Sequence, residues 1–167
     1  ESRSLGNSEA GKTMSFYDLD AMTQGLSPGN LYVIGGRPAM GKTSFVLNIA
    51  KNIGQIHNLP ICFFSLETSK KMLSYRLLSM ETGIESGRLK TGRLTQEEWP
   101  ILGEAIYFLS ENPIYLIDKP SIQVSEIYQF CEEVKNTQKK DLGVIIIDFL
   151  QLMEDKSLGK NISREDE

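Results

Sequence analysis

A glycine-rich segment at residues 36–43 carries the residue types that bind phosphate. It follows the pattern G-x-x-x-x-G-K-[ST], in which backbone N–H groups wrap around a phosphate. Gly41 lets the backbone approach without a Cβ, Lys42 sits on the β- and γ-phosphates, and Thr43 offers its hydroxyl to Mg²⁺. The segment therefore predicts a site for a nucleoside triphosphate with Mg²⁺. The predicted nucleotide-binding residues are Gly36, Arg37, Pro38, Ala39, Met40, Gly41, Lys42, Thr43 and Ser44.

The same pattern occurs a second time, at residues 6–13. Residues 1–5 are largely polar and supply no supporting strand, and residues 14–17 show no amphipathic helix. A loop that is not held between a strand and a helix cannot pre-organise its N–H groups, and only this context confirms the motif. We therefore interpret the match at residues 6–13 as coincidence.

Hydrolysis of a bound nucleotide also requires a carboxylate near Mg²⁺ and a group that orients the attacking water. Asp148 directly follows an aliphatic run at residues 144–147, so it emerges at the carboxyl end of a buried strand. Open α/β sheets place ligands at that end. This is the Walker B arrangement, in which Asp148 meets Mg²⁺ through water. The alternative is an aspartate that caps a turn, and the phosphate loop upstream favours the metal role.

Glu67 follows another apolar run and has two interpretations. If its strand neighbours the strand before the phosphate loop, the carboxylate faces the γ-phosphate and can polarise a water molecule. It can equally be an acidic residue near a helix start, because Thr68 and Ser69 resemble an N-cap. The spacing alone leaves both open. For Arg76 we favour a structural ion pair, with Glu81 or another carboxylate, over a nucleotide contact. Gln151 could sense the γ-phosphate or begin a DNA-contacting loop, and we favour the alternative of a loop residue without a role.

Alternating apolar segments must position these residues. Runs at residues 31–34, 61–64, 114–117 and 144–147 predict four strands without a polar face. Apolar residues at helical spacing predict helices at residues 16–26, 45–53 with a stop at Gly54, 69–80, 95–109 and 124–134. In the helix at residues 95–109, the capping-box form precedes a predicted buried face of Trp99, Leu102, Ile106 and Leu109. The pattern predicts an α/β fold with a mainly parallel sheet flanked by helices.

Composition narrows the class of protein. The chain has 167 residues, 40% hydrophobic and 24% charged, as is typical of a globular domain. The net charge of −4 argues against a wholly basic domain that coats nucleic acid, and no apolar run is long enough to span a membrane. Cys62 and Cys131 lack metal-ligand spacing and lie in apolar segments, which favours a reduced interior pair.

Together the motifs resemble the RecA-like motor of replicative DNA helicases of the DnaB type. The resemblance rests on residues 16–20 with 25–26, 36–45, 64–67 with 76–78, and 146–153. It implies a RecA-like P-loop NTPase core in a hexameric ring, with ATP and Mg²⁺ at subunit interfaces, that translocates on single-stranded DNA and unwinds the duplex. It also implies Glu67 as the catalytic base, primase and a helicase loader as partners, and a bacterial cytoplasm or a plastid stroma as the location.

The resemblance also sets expectations for the organisation of the chain. We expect a linker remnant at residues 1–14, a partial core at residues 15–155, and a flexible tail or the start of a further segment at residues 156–167. The family motor continues past Walker B with further strands, DNA-binding loops and an arginine finger. We therefore expect a fold that is incomplete at the C-terminus, an exposed sheet edge, and weak or no hydrolysis by this piece alone.

Two other functions use the same loop. A RecA-like switch or assembly factor would use ATP to govern oligomer formation without separating strands. A small-molecule kinase would need an arginine-rich lid, and no such cluster occurs between Glu67 and Asp148. The amino-acid sequence of residues 37–45 and 64–67 favours the helicase motor.

Overall fold

The structure is a computed structural model and describes residues 11–149. Within this range, six helices and three strands follow one another along the chain. They are α1 (Tyr17–Thr23), α2 (Lys42–His57), β1 (Ile61–Ser65), α3 (Lys70–Thr82), α4 (Ser86–Thr91), α5 (Glu98–Ser110), β2 (Ile114–Asp118), α6 (Val124–Gln138) and β3 (Val144–Asp148).

The three strands form one parallel sheet in the order β2-β1-β3. All five residues of β1 are buried, as expected for the central strand of a sheet covered on both faces. Its last residue, Ser65, lies opposite Asp118 of β2 and Asp148 of β3. The predicted parallel sheet is confirmed, and its register brings three polar strand ends together at one edge.

Successive side chains of β1 point to opposite faces and enter two separate cores. Phe63 packs with α2 and α3 on one face, and Phe64 packs with α6 on the other. The second core also contains Cys62 and Cys131, so their predicted interior location is confirmed. A hydrogen bond with Cys131, together with burial, raises the pKa of the Cys62 thiol. Helices therefore cover both faces of the sheet, as the apolar strands predicted.

The predicted strand at residues 31–34 is wrong. These residues form no strand, and the side chains of Leu31 and Val33 are 89% and 82% exposed. A short apolar run predicts burial, but a strand also needs a second strand to pair with its backbone groups. A local sequence pattern does not show whether such a second strand is present. In the described part of the chain, no strand pairs with the outer edge of β3, where Ile145 is 46% exposed.

The predicted helix stop at Gly54 is also wrong, because α2 continues to His57 and ends at Asn58 in the left-handed conformation. Gly54 instead makes room for a side chain from another element. A Cβ at this position would lie 2.0 Å from Oδ1 of Asn112, which follows α5. The amide Nδ2 of Asn112 donates to the carbonyl oxygen of Lys51 in α2, at 3.1 Å. The glycine is therefore a packing residue.

Replacing Gly54 with alanine is expected to lower the free energy of unfolding by about 1–3 kcal/mol, because the new methyl group overpacks the contact with Asn112. Urea unfolding followed by circular dichroism measures this change. Gly103→Ala is the matched control, since Gly103 lies within α5 and a Cβ there meets nothing within 4 Å. Adding Asn112→Ser to Gly54→Ala should recover most of the loss. Equal stability of the two single alanine variants would contradict this account.

The predicted buried face of α5 is only partly correct. Trp99 and Ile106 are 55% and 51% exposed, whereas the buried residue of the helix is Ala105. Leu109 packs at the margin of the core that contains α2 and α3. Helical spacing predicts which residues share a face but not which face is covered, and α5 is apolar on more than one side.

The predicted capping box before α5 forms in part. Glu98 accepts a hydrogen bond from the backbone N–H of Thr95, and the helix begins at Glu98. The same carboxylate receives two hydrogen bonds from the guanidinium of Arg88, at 2.7 and 2.6 Å. The Arg88 guanidinium and the Thr95 N–H hold the pKa of Glu98 below its ordinary value. Glu98 thus joins α4 to the start of α5.

None of the helices within residues 11–149 is long and apolar enough to cross a membrane.

Candidate nucleotide-binding site

The phosphate loop lies at the N-terminus of α2. The loop turns through a hydrogen bond from the Met40 N–H to the Arg37 carbonyl oxygen, at 3.3 Å. Ala39 and Gly41 have positive φ angles of 62° and 83°, a conformation that glycine adopts without strain. Gly41 is the N-cap of α2, and its carbonyl oxygen accepts the hydrogen bond of the Phe45 N–H. The free N–H groups and the positive end of α2 therefore face the loop.

The Lys42 side chain folds back over the loop. Its Nζ donates to the carbonyl oxygen of Gly36 at 2.6 Å and lies 3.5 Å from that of Arg37. Every residue from 31 to 41 is exposed, so a ligand can reach the loop from solvent. A Cβ at Gly36 would meet Lys42 Cγ and Cδ at 3.5 Å, which is ordinary contact. When a nucleotide binds, the Lys42 ammonium group can therefore exchange its contacts with carbonyl oxygens for contacts with phosphate oxygens.

The second motif match has a different local structure. Its residues 6–10 lie outside the described part of the chain. Lys12 exchanges two backbone hydrogen bonds of 2.9 Å with Leu26, and no helix begins there. The hydroxyl of Thr13 donates to the Asp20 carboxylate at 2.7 Å, and the Met14 N–H donates to the same group at 2.9 Å. Burial acts to raise the pKa of Asp20, but these hydrogen bonds outweigh it and lower the pKa overall.

Asp148 and Glu67 lie near each other along the carboxyl edge of the sheet, Asp148 at the end of β3 and Glu67 in the turn that follows the neighbouring strand β1. Asp148 ends β3, and its carbonyl oxygen accepts the hydrogen bond of the Leu66 N–H at 2.8 Å, so the first residue after β1 is tied to β3. Glu67 is the next residue along. Neither carboxylate makes a hydrogen bond or an ion pair with any residue between 11 and 149. Two acceptor groups are therefore available at the edge where parallel sheets bind ligands.

The turn that carries Glu67 has a defined internal structure. The buried hydroxyl of Ser65 accepts a hydrogen bond from the Thr68 N–H at 3.1 Å. Ser69 is the N-cap of α3, and its side chain accepts from the Met72 N–H. The carboxylate of Glu67 is exposed and makes no hydrogen bond to the start of α3. This geometry disfavours the helix-capping interpretation and leaves the carboxylate free for a ligand or a water molecule.

Sequence reasoning missed Asp118, the third polar residue at this edge. It ends β2 opposite Ser65, and its Oδ2 accepts a hydrogen bond from the backbone N–H of Lys70, at 2.9 Å. The signal was available, because Asp118 follows an apolar run in the same way as Asp148 does. Its contact with Lys70 depends on the folded sheet and is not visible in the sequence.

The predicted ion pair of Arg76 with Glu81 is wrong, because Glu81 pairs with Lys51 at 3.0 Å. The guanidinium of Arg76 makes no ion pair with another described residue. It lies on α3, which begins after the turn that carries Glu67. Gln151 lies outside the described residues.

The side-chain oxygen atoms near the loop suit the binding of a nucleotide with Mg²⁺. Mg²⁺ is bound by one or two protein oxygens together with phosphate oxygens and water. Thr43 lies in the first turn of α2, and Asp148 ends a strand of the adjoining sheet. No group of three or more His, Cys, Asp or Glu residues within residues 11–149 could hold a metal ion by itself. A divalent ion at the loop would therefore depend on the phosphate oxygens.

A parallel sheet, a phosphate loop at a helix N-terminus and carboxylates at the carboxyl edge define a P-loop nucleotide-binding domain of the RecA-like type. The sequence matches the family described as "DnaB-like helicase C terminal domain" over residues 11–167. The chain belongs to this family.

Curated relatives and solved structures agree with this assignment. A replicative DNA helicase DnaB from Nostoc sp. is 47% identical over 92% of this chain, and one from Geobacillus stearothermophilus is 42% identical over 87%. The chain covers 18% and 32% of these two proteins. A solved ATPase domain superposes with a TM-score of 0.80 at 33% identity, over 95% of this chain and 56% of that domain. A DnaB-like replicative helicase, described with its primase interactions, gives 0.83 at 33% identity, over 92% of this chain and 36% of that one.

Proposed function

We propose that this chain is the ATP-binding and hydrolysing motor core of a replicative DNA helicase that translocates on single-stranded DNA and unwinds the duplex at the replication fork. One observation carries the proposal most strongly. The Lys42 ammonium lies over the loop at the start of α2. Two carboxylates without partners among the described residues lie at the sheet edge, Asp148 at the end of β3 and Glu67 in the turn after the neighbouring strand β1. Phosphate binding, metal binding and water activation need these three kinds of group.

The roles follow from the chemistry of each side chain. The loop N–H groups and Lys42 hold the β- and γ-phosphates of ATP. The Thr43 hydroxyl would hold Mg²⁺ directly and Asp148 would do so through water, and a bound ion would supply positive charge beside the phosphate oxygens. Glu67 orients the attacking water molecule and accepts its proton. The remaining residues of the segment 36–44 shape the loop.

Partners and location follow from family membership. We propose that the full-length protein forms a hexamer, binds single-stranded DNA, and works with primase and a helicase loader in a bacterial cytoplasm or a plastid stroma. The DnaB-like helicase described with its primase interactions supports the primase partnership. We also propose a linker remnant at residues 1–14, a partial core at residues 15–155, and a flexible tail or the start of a further segment at residues 156–167. Met14 is 2% exposed and packs in the core with α2, so the proposed linker ends against the core.

The test is DNA-dependent hydrolysis by the full-length protein that contains this chain. We expect single-stranded DNA to raise the rate of Mg-ATP hydrolysis several-fold, and a forked duplex to be separated only when ATP is hydrolysed. Duplex DNA without a single-stranded tail is the control substrate. Hydrolysis that ignores DNA, together with ATP-dependent assembly and no strand separation, would instead identify an ATP-dependent switch.

A further inference from the structure

Asp118 and Asp148 end the two strands that flank β1, but their carboxylates have different surroundings. The Asp148 carboxylate has no partner among the described residues. The Asp118 carboxylate accepts the hydrogen bond of the Lys70 N–H at 2.9 Å, and its Oδ1 lies 4.0 Å from Lys70 Nζ. Asp118 therefore already binds a protein group, whereas Asp148 does not.

The residue that Asp118 holds is the first residue of α3, directly after the turn that carries Glu67. That turn begins at Ser65, which is tied to both neighbouring strands. The Ser65 carbonyl oxygen accepts from the Lys119 N–H at 3.2 Å, and the Leu66 N–H donates to the Asp148 carbonyl oxygen. The turn ends at α3, whose first residue is tied to the sheet through Asp118. Asp118 thus fixes the far end of the turn to the same sheet edge as its near end.

We propose that Asp118 is a positioning residue for Glu67, an inference that rests on the proposed function. A charge-assisted hydrogen bond to an N–H at a helix N-terminus is strong and directional. With both ends of this short turn attached to one sheet edge, the backbone that carries Glu67 is restrained beside the end of β1. A catalytic group displaced by about 1 Å can lose on the order of 100-fold in rate, so this attachment controls the catalytic step more than nucleotide binding.

Four variants of the full-length protein distinguish the contribution of the Asp118 carboxylate from that of the Lys70 N–H group. Asp118→Ala removes the acceptor, and Asp118→Asn keeps an acceptor oxygen without the charge. Lys70→Pro removes the donor, because proline has no N–H and is well tolerated as the first residue of a helix. The preceding residue, Ser69, has φ −63° and ψ 147°, which suits a residue before proline. Lys70→Ala removes the ammonium group and keeps the N–H.

For Asp118→Ala and for Lys70→Pro, we expect the kcat for DNA-stimulated hydrolysis to fall at least about tenfold, with the KM for Mg-ATP within about twofold. The double variant should be no slower than either single variant, because both remove the same contact. Asp118→Asn and Lys70→Ala should keep kcat within about threefold. If Asp118→Ala does not fold, Lys70→Pro and Asp118→Asn carry the comparison.

Three results would overturn the proposal: an unchanged kcat in Lys70→Pro, multiplicative losses in the double variant, or a fall in kcat that follows KM and Tm together. Glu67→Gln, measured in parallel, separates this inference from the proposed function. If Glu67→Gln is inactive and Lys70→Pro is fully active, only the positioning role is wrong. If Glu67→Gln is fully active, the proposed role of Glu67 is wrong as well.

Discussion

Replacing Lys42 with alanine is expected to abolish measurable hydrolysis of Mg-ATP and to weaken its binding by at least about tenfold. The Lys42 Nζ lies 2.6 Å from the Gly36 carbonyl oxygen, over the loop that faces the N-terminus of α2. A charge-assisted hydrogen bond contributes about 1.5–3 kcal/mol, which corresponds to roughly 10- to 100-fold in affinity. The catalytic loss is larger, because the ammonium group also stabilises charge that develops on the phosphate in the transition state.

The sequence offers a matched control in Lys12, the lysine of the second motif match. Lys12→Ala removes a lysine from the same Gly-Lys-Thr sequence, but Lys12 pairs through its backbone with Leu26, and no helix begins directly after it. Titration of each variant of this chain with a fluorescent Mg-ATP analogue measures binding, and the full-length protein reports hydrolysis. Equal losses in the two variants, or unchanged binding in Lys42→Ala, would contradict the assignment of the phosphate loop.

Replacing Glu67 with glutamine is expected to lower kcat by about 100- to 10,000-fold while Mg-ATP binding stays within about threefold. Glutamine has nearly the same shape but cannot accept the proton of the attacking water. The Glu67 side chain is exposed and makes no hydrogen bond to the described residues, so the change should leave the turn and α3 intact. Most of the effect should therefore appear in the catalytic step.

Steady-state hydrolysis and nucleotide titration of the full-length protein separate these two effects. Glu133→Gln is the control, because Glu133 is exposed on α6 and lies far along the chain from the turn. We expect Glu133→Gln to retain full activity. If Glu67→Gln also retains full activity, Glu67 is an acidic residue near the start of α3, the alternative that the spacing left open.

The sheet was predictable because its strands are apolar on both faces. The runs at residues 61–64, 114–117 and 144–147 have no polar side to face water, so a central position between helices is the stable arrangement. The run at residues 31–34 is also apolar throughout, yet it is exposed and pairs with no strand among the described residues. Its state depends on a partner strand, and strand pairing is a long-range property that a local pattern does not contain. Gly54 shows the same limit, because its role is set by Asn112.

The candidate site also has one part that the local sequence predicts and another that depends on contacts between distant residues. A phosphate loop could be predicted from sequence because each position of the motif has a chemical requirement, and the predicted segment lies at the start of α2. Asp148 could be assigned to a strand end because it directly follows the apolar run at residues 144–147. The partner of Asp118 could not be assigned, because Lys70 meets Asp118 only after β1 and β2 have paired. Contacts between elements that are distant in sequence therefore carry the part of the site that motifs miss.

The hydrogen bond from the Leu66 N–H to the Asp148 carbonyl oxygen has an evolutionary consequence. It joins two main-chain groups at 2.8 Å, so exchanges of neighbouring side chains remove neither its donor nor its acceptor. Exchanges among apolar side chains of similar volume within β1 and β3 usually cost less than about 1.5 kcal/mol. Such exchanges can accumulate over many generations while the two carboxylate-bearing segments keep their separation. The interior of this sheet can therefore change in sequence without moving the carboxylates at its edge.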